Sequence, residues 1–299
     1  MADARTLGLA VQDFLFQVEA NGRRRSSICS YARELDALTR HLGDPPLATI
    51  TPDDVSRFLA SPAACLRRNG TGKAGTTLNR TRSVIRTFFA WCVDSARIPS
   101  SPAFFVRPLI GSVPRVGHMT RRQLERFLFG IRHSNHRLAP RDHALFSTLA
   151  YTGVRLSEAA GAVWADLDER GGRLHLRSTK GGHAETRHVP RRLLATLVQY
   201  RRRIPAEMRT NAAPLFASQA RRALCPRSVQ YRFAFWLAWS EIRQQVSVHS
   251  LRHTFGTLLY RATRDLLLVS RALGHRDVRS TQRYVHLEDR ALARAVNRL

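Results

Sequence analysis

The side chains able to do chemistry gather in four short stretches of the second half of the chain, and their order is distinctive. In the first, Gly153 makes a tight turn into a helix opened by Arg155, and Glu158 falls one turn later on the same face. In the second, Lys180 stands between two strand-like segments beside Gly181 and Gly182, a loop able to deliver an ammonium into a site. The third holds His249 and Arg252, three apart and so directed from one helical face toward one ligand. In the fourth, Gly274 ends a helix, His275 follows it, and Tyr284 and His286 lie on the next.

These residue types suit exchange of a phosphodiester. Two guanidinium groups can hold the non-bridging oxygens and stabilise the charge of a pentacoordinate transition state, imidazole and ammonium can move protons, and a phenol can be the nucleophile. No Asp and Glu cluster suited to two-metal catalysis accompanies them, so neither a metal nor another cofactor is expected. A single Arg in so basic a chain is ordinarily a surface residue, and a single helical His ordinarily a structural one. The ordered set is what carries weight. Tyr31, Tyr151, Tyr200, Tyr231 and Tyr260 fall at positions that read as helix packing.

The elements that must position these groups are mainly α. Apolar residues at helical spacing mark helices through Val11 to Val18 and Ile28 to Leu42, the second stopped by Gly43. A third opens at Thr51 and Pro52, and a fourth runs from about Thr76 to Asp94 after a Gly-rich turn that contains Lys73. Arg80, Arg82 and Arg86 lie largely opposite the apolar side of that fourth helix, which gives it a basic face. Pro and Gly crowd residues 99 to 117, and we place a linker at 108–117 between a domain at 1–107 and a domain at 118–299. The second domain opens on a helix from Thr120, followed by an apolar helix across Ala144 to Ala150. Strand signals are confined to Arg173 to Ser178 and Glu185 to Val189, which predicts a hairpin or small sheet flanking Lys180. Helical periodicity resumes after Pro190, and the last residues form an amphipathic helix with Leu292, Val296 and Leu299 on one side.

Composition narrows the partners. The 49 Lys and Arg residues exceed the 22 Asp and Glu by enough for a formal net charge of +27, spread along all 299 residues. Such a field attracts polyanions, and no segment joins basic residues to a lipid-facing apolar helix, so nucleic acid is favoured over membrane. Most of the positive charge is Arg, whose planar fork binds phosphate bidentately. Cys29, Cys65, Cys92 and Cys225 are too scattered for a zinc site or disulfide framework and read as buried thiols of a reducing compartment. The amino terminus has no signal-peptide pattern and no apolar run spans a bilayer, so a cytoplasmic protein is expected.

The ordered motif resembles that of the tyrosine recombinase, or phage integrase, family, in which Arg, a hairpin Lys, His-x-x-Arg, a His or Trp after Leu-Gly, and a Tyr nine residues later recur. Here those elements are Arg155, Lys180, His249 with Arg252, His275 after Leu273 and Gly274, and Tyr284. The hairpin departs slightly: it is longer than the common Lys-Gly-x-Lys-x-Arg pattern, and His183 or Ala184 stands where a second Lys is usual. The resemblance implies a C-shaped clamp on duplex DNA, made of a SAM-like helical core-binding domain and a catalytic domain. It implies that Tyr284 forms a 3′-phosphotyrosine, that Arg155 and Arg252 bind the phosphate, and that Lys180 protonates the departing oxygen. His249 would assist proton transfer at the nucleophile, His275 would hydrogen-bond the phosphate, and Glu158 would brace the neighbouring side chains. Strand exchange would pass through a Holliday junction in a homotetramer, or a heterotetramer with a paralogue, on double-stranded DNA carrying specific sites. The terminal helix resembles the one that family members dock into a neighbouring protomer, and a bacterial, nucleoid-associated location follows. A type IB topoisomerase or telomere resolvase would use the same catalytic set, and a DNA-binding protein without catalysis is a third class. The compact length disfavours the former, and the intact Tyr284, Lys180 and arginine pair disfavours the latter.

Overall fold

The structure, a computed structural model, describes residues 5–110, 117–177 and 184–274; Lys180, His275, Tyr284, His286 and the terminal helix lie outside them. The chain divides into two compact units, Met1–Arg115 and Val116–Leu299.

The first unit is helical: α1 (Leu7–Ala20), α2 (Arg25–Leu42), α3 (Pro52–Ala60), the short α4 (Pro62–Cys65) and α5 (Gly75–Asp94). Local chemistry explains the boundaries. Gly43 ends α2 in the left-handed conformation at φ 77°, and at the start of α3 Thr51 and Asp54 each bond the other's backbone N–H. The helices share a core built on Phe14, Phe58, Phe88 and Phe89. Polar ties cross it as well: the Thr81 hydroxyl on α5 donates to the Glu34 carboxylate on α2 at 2.9 Å, and Arg33 donates to the same carboxylate at 2.7 Å.

The second unit begins with α6 (Arg121–Arg132), capped by Thr120 and Gln123, and α7 (Ala139–Thr152). Buried on nearly every side, α7 is the unit's central helix, and α6, α9 (Arg191–Arg203) and α11 (Val248–Thr263) pack on it. Between α7 and α11 lie α8 (Leu156–Gly161), the strands β1 (Leu167–Asp168), β2 (Arg173–Leu176) and β3 (Glu185–His188), and α10 (Pro226–Trp239), while α12 (Leu266–Leu273) follows α11. The strands form an antiparallel sheet in the order β1-β2-β3, with Leu174 opposite Arg187 and Leu176 opposite Glu185. The strand β1 was not anticipated; two residues are too few to show an alternation.

Two expectations about individual side chains need correction. Of the four cysteines only Cys92 is buried; Cys65 is half-buried, and Cys29 and Cys225 are exposed because their positions on α2 and at the start of α10 face outward. Tyr231 is 73% exposed on α10, so packing does not account for it. Its neighbour Phe233 takes the inward position instead, since residues two apart on a helix point to different sides.

Candidate active site

The carboxyl end of α7 is where the site is built. Gly153 ends that helix at φ 63°, and a Cβ there would stand 2.5 Å from Cδ1 of Phe255. Both the dihedral angle and the close approach of α11 therefore require glycine. The turn releases Arg155 as the N-cap of α8. Glu158 serves it twice: one carboxylate oxygen accepts from the Arg155 backbone N–H at 2.8 Å, the other from the guanidinium Nη1 at 2.7 Å. The remaining Nη2 donates to the Gly274 carbonyl at 3.3 Å, and the Arg155 side chain stays 25% exposed.

Arg252 approaches from α11, whose start is capped by Ser247 and Ser250. Only 4% exposed, it donates from Nη1 to the Gly153 carbonyl at 2.5 Å and from Nη2 to the Leu273 carbonyl at 2.6 Å. Arg155 and Arg252 thus meet on consecutive carbonyls of the turn that leads into His275. On the same helix His249 is exposed at the surface, with its ring edge-on to the buried His253 at 4.8 Å. Carbonyls orient a guanidinium through their dipoles yet carry no formal negative charge, so these two bonds do not neutralise Arg252.

A third guanidinium joins them that the sequence reading did not single out. Arg187 on β3 is 5% exposed; it pairs with Glu185 and donates from Nη2 to the Leu273 carbonyl at 3.2 Å. Strand parity could have revealed it: Val189 faces inward, and a residue two positions away faces the same side. The helical unit places its expected contacts differently. Arg80 and Arg86 are exposed on α5, with Arg80 bonded to Ser30, whereas Arg82 is half-buried and donates to the Arg107 carbonyl at 3.4 Å. Lys73 donates to the Ala63 carbonyl at 3.2 Å.

Two of the other tyrosines make poor nucleophiles. Burial pushes the Tyr200 phenol up to about 12 and raises that of Tyr151, whose ring lies under Arg192 at 3.8 Å. Among the described residues no group of His, Cys, Asp and Glu is arranged to hold a metal ion.

Residues 118–291 match the phage integrase family, and residues 11–95 match the N-terminal SAM-like domain of phage integrases. The chain belongs to the phage integrase family of tyrosine recombinases. Tyrosine recombinase XerC of Salmonella typhi is 30% identical over 269 residues, covering 88% of this chain and 86% of the relative. XerC of Alcanivorax borkumensis is also 30% identical, over 297 residues, covering 98% of this chain and 94% of its own. Among solved structures, a lambda integrase tetramer bound to a Holliday junction has a similar fold, with a TM-score of 0.71 at 18% identity over 91% of this chain and 78% of that one. This recombinase therefore has both halves of the family's two-domain architecture, the SAM-like helical domain and the catalytic domain. No helix among the described residues is long and apolar enough to cross a membrane.

Proposed function

We propose that this site-specific recombinase cleaves DNA by attack of the Tyr284 phenol on the scissile phosphorus. The new tyrosyl O–P bond forms as the P–O5′ bond breaks, leaving a 3′-phosphotyrosine and a free 5′-hydroxyl. Arg155 and Arg252 hold the non-bridging oxygens, and Glu158 fixes the orientation of Arg155. Lys180 protonates the departing 5′-oxygen, His249 takes the phenol proton, and His275 donates to the phosphate. Bond energy is conserved, so a 5′-hydroxyl from a second duplex can reverse the step and generate a Holliday junction. That exchange requires two synapsed sites, and the working assembly is a tetramer of this chain, or of this chain with a paralogue, with Tyr284 active in half of the protomers at once. Phosphate contacts from Lys73, Arg80, Arg82 and Arg86 in the helical domain hold the duplex with little regard to sequence. The protein acts in the cytoplasm, on the nucleoid.

One observation carries this reading: Arg155 and Arg252, far apart in the chain, are brought to adjacent carbonyls at Leu273 and Gly274, the turn after which His275 and Tyr284 follow. The test is Tyr284→Phe on a nicked suicide substrate. The variant is expected to bind DNA as wild type does and to form no SDS-resistant adduct, while the wild-type adduct maps to Tyr284 on the 3′ side of the nick in the presence of excess EDTA. An adduct that persists in the Phe variant, maps to a serine, or needs a divalent cation would overturn it.

A further inference from the structure

The mechanism assigns work to two arginines, yet three converge on the turn before His275. We propose that Arg187 is a positioning residue for cleavage, acting through the Leu273 and Gly274 carbonyls on Arg252 and Arg155; this rests on the functional reading above. Several observations lead there. Arg187 and Arg252 donate to the same carbonyl, that of Leu273, at 3.2 and 2.6 Å. A Cβ built on Gly274 would run into both the Glu185 carboxylate and the Arg187 guanidinium, so the ion pair fills the space that the glycine leaves open. Gly274 in turn adopts φ 61°, and its carbonyl accepts from Arg155. The hairpin strand, the turn and both phosphate-binding arginines are therefore one interlocked unit.

Burial makes this arrangement costly unless it is used. A charged side chain placed opposite Leu174 in the sheet register occupies a position where an apolar residue would pack without desolvating a charge. The Arg187 Nε is buried with no hydrogen-bond partner among the described residues, so even this guanidinium is incompletely satisfied. An interior guanidinium with that deficit adds little to stability by itself. What it does supply is a fixed carbonyl geometry. With Arg187 present, the Leu273 carbonyl is held from two sides, and Arg252 is confined to the direction it needs before the phosphate arrives. Without it, the turn can rotate and Arg252 loses its aim, although Arg252 still carries its charge and the duplex is still bound.

The experiment compares wild type, Arg187→Lys, Arg187→Met and the double variant Glu185→Gln with Arg187→Met, which avoids leaving the half-buried Glu185 carboxylate without its cation. Two suicide substrates are used: one with an ordinary scissile phosphate, and one in which a methyl group replaces a non-bridging oxygen. A neutral methylphosphonate needs less stabilisation by guanidinium, so a defect that acts through Arg252 and Arg155 shrinks on it, whereas a defect in folding or DNA affinity does not. On the ordinary phosphate, the Met variants are expected to cleave about 10- to 100-fold more slowly at saturating DNA, the range seen when groups that orient a primary ligand are removed. Affinity should change by less than about threefold, since one contact among many contributes little. Arg187→Lys should recover part of the rate, and on the methylphosphonate the deficit should fall to about threefold or less. Equal deficits on both substrates, or wild-type rates in the double variant, would overturn the proposal and leave Arg187 a packing residue. If wild-type protein itself forms no adduct, the functional reading fails and this one with it.

Discussion

The two ends of α7 each carry a cluster of arginines, and they use them in opposite ways. At the amino end the Asp142 carboxylate is 0% exposed and accepts from Arg141 at 2.7 Å, Arg232 at 2.7 Å and the Trp236 indole at 2.8 Å. About 20 Å away, a helix length of 1.5 Å per residue, Arg252 is directed by carbonyls. In one cluster a buried anion neutralises cations and ties α7 to α10. In the other, Arg155 and Arg187 pair with Glu158 and Glu185 while Arg252 donates to the Gly153 and Leu273 carbonyls, and all three reach the turn before His275. In this strongly basic chain one buried carboxylate shared by several donors marks arginines that hold the fold, and guanidiniums converging on the carbonyls of one turn mark those proposed to act.

Substitutions can break or sharpen that contrast. The largest effect on catalysis should come from Arg252→Ala and Arg155→Ala, each lowering the cleavage rate at saturating DNA by about 100- to 1,000-fold, with much smaller losses in affinity. Equal losses in cleavage and binding, measured by adduct formation and by filter binding, would show that these arginines only track the backbone. Asp142→Asn should do the reverse, costing about 3–5 kcal/mol of stability by leaving buried guanidiniums without their anion. Thermal unfolding reports that cost, and cleavage per folded molecule should stay near wild type; a selective catalytic loss would erase the distinction between the two ends.

Smaller effects bear on the charged surface and on pH. Arg80→Ala and Arg86→Ala should each weaken DNA binding similarly for all sequences and reduce the slope of log affinity against log salt by about one, without altering cleavage at saturation. A sequence-dependent loss would point to base contacts. The smallest effect belongs to His143, which lines a cleft of about 210 Å³ with Arg132, His133, Tyr200 and Arg203 beside the amino end of α7. Burial, and then the nearby Arg132 and His133, lower its pKa from 6.5 to about 4. Because the folded value is depressed, the unfolded chain binds the proton first, so stability present above pH 6.5 is lost as pH falls toward 4. His143→Gln should flatten the fall in Tm between those values, and an unchanged slope would assign it to other groups.

The order of Arg155, Lys180, His249, Arg252, His275 and Tyr284 could be read from the sequence because each chemistry demands one residue type, and all but Tyr284 sit near a punctuating glycine or within one helical turn of a partner. The helices were legible for a similar reason: caps such as Thr51, Thr120 and Gly43 act within a few residues, and a 3.6-residue period needs only its own segment to show. Strand β1 was not, since two residues carry no period, and the exposure of Tyr231 was not, since helical spacing says which residues share a face but not which face is covered. Arg187 shows where local reading stops. The parity of its strand marks it as inward-facing but names no partner; its neighbours at Leu273 and Gly274 are brought to it only when α12 folds back on β3. Residue type and spacing thus determined which chemistry this protein could do. Which of its arginines converge on one turn was decided by tertiary packing, because the Leu273 and Gly274 carbonyls meet Arg155, Arg187 and Arg252 only in the folded chain.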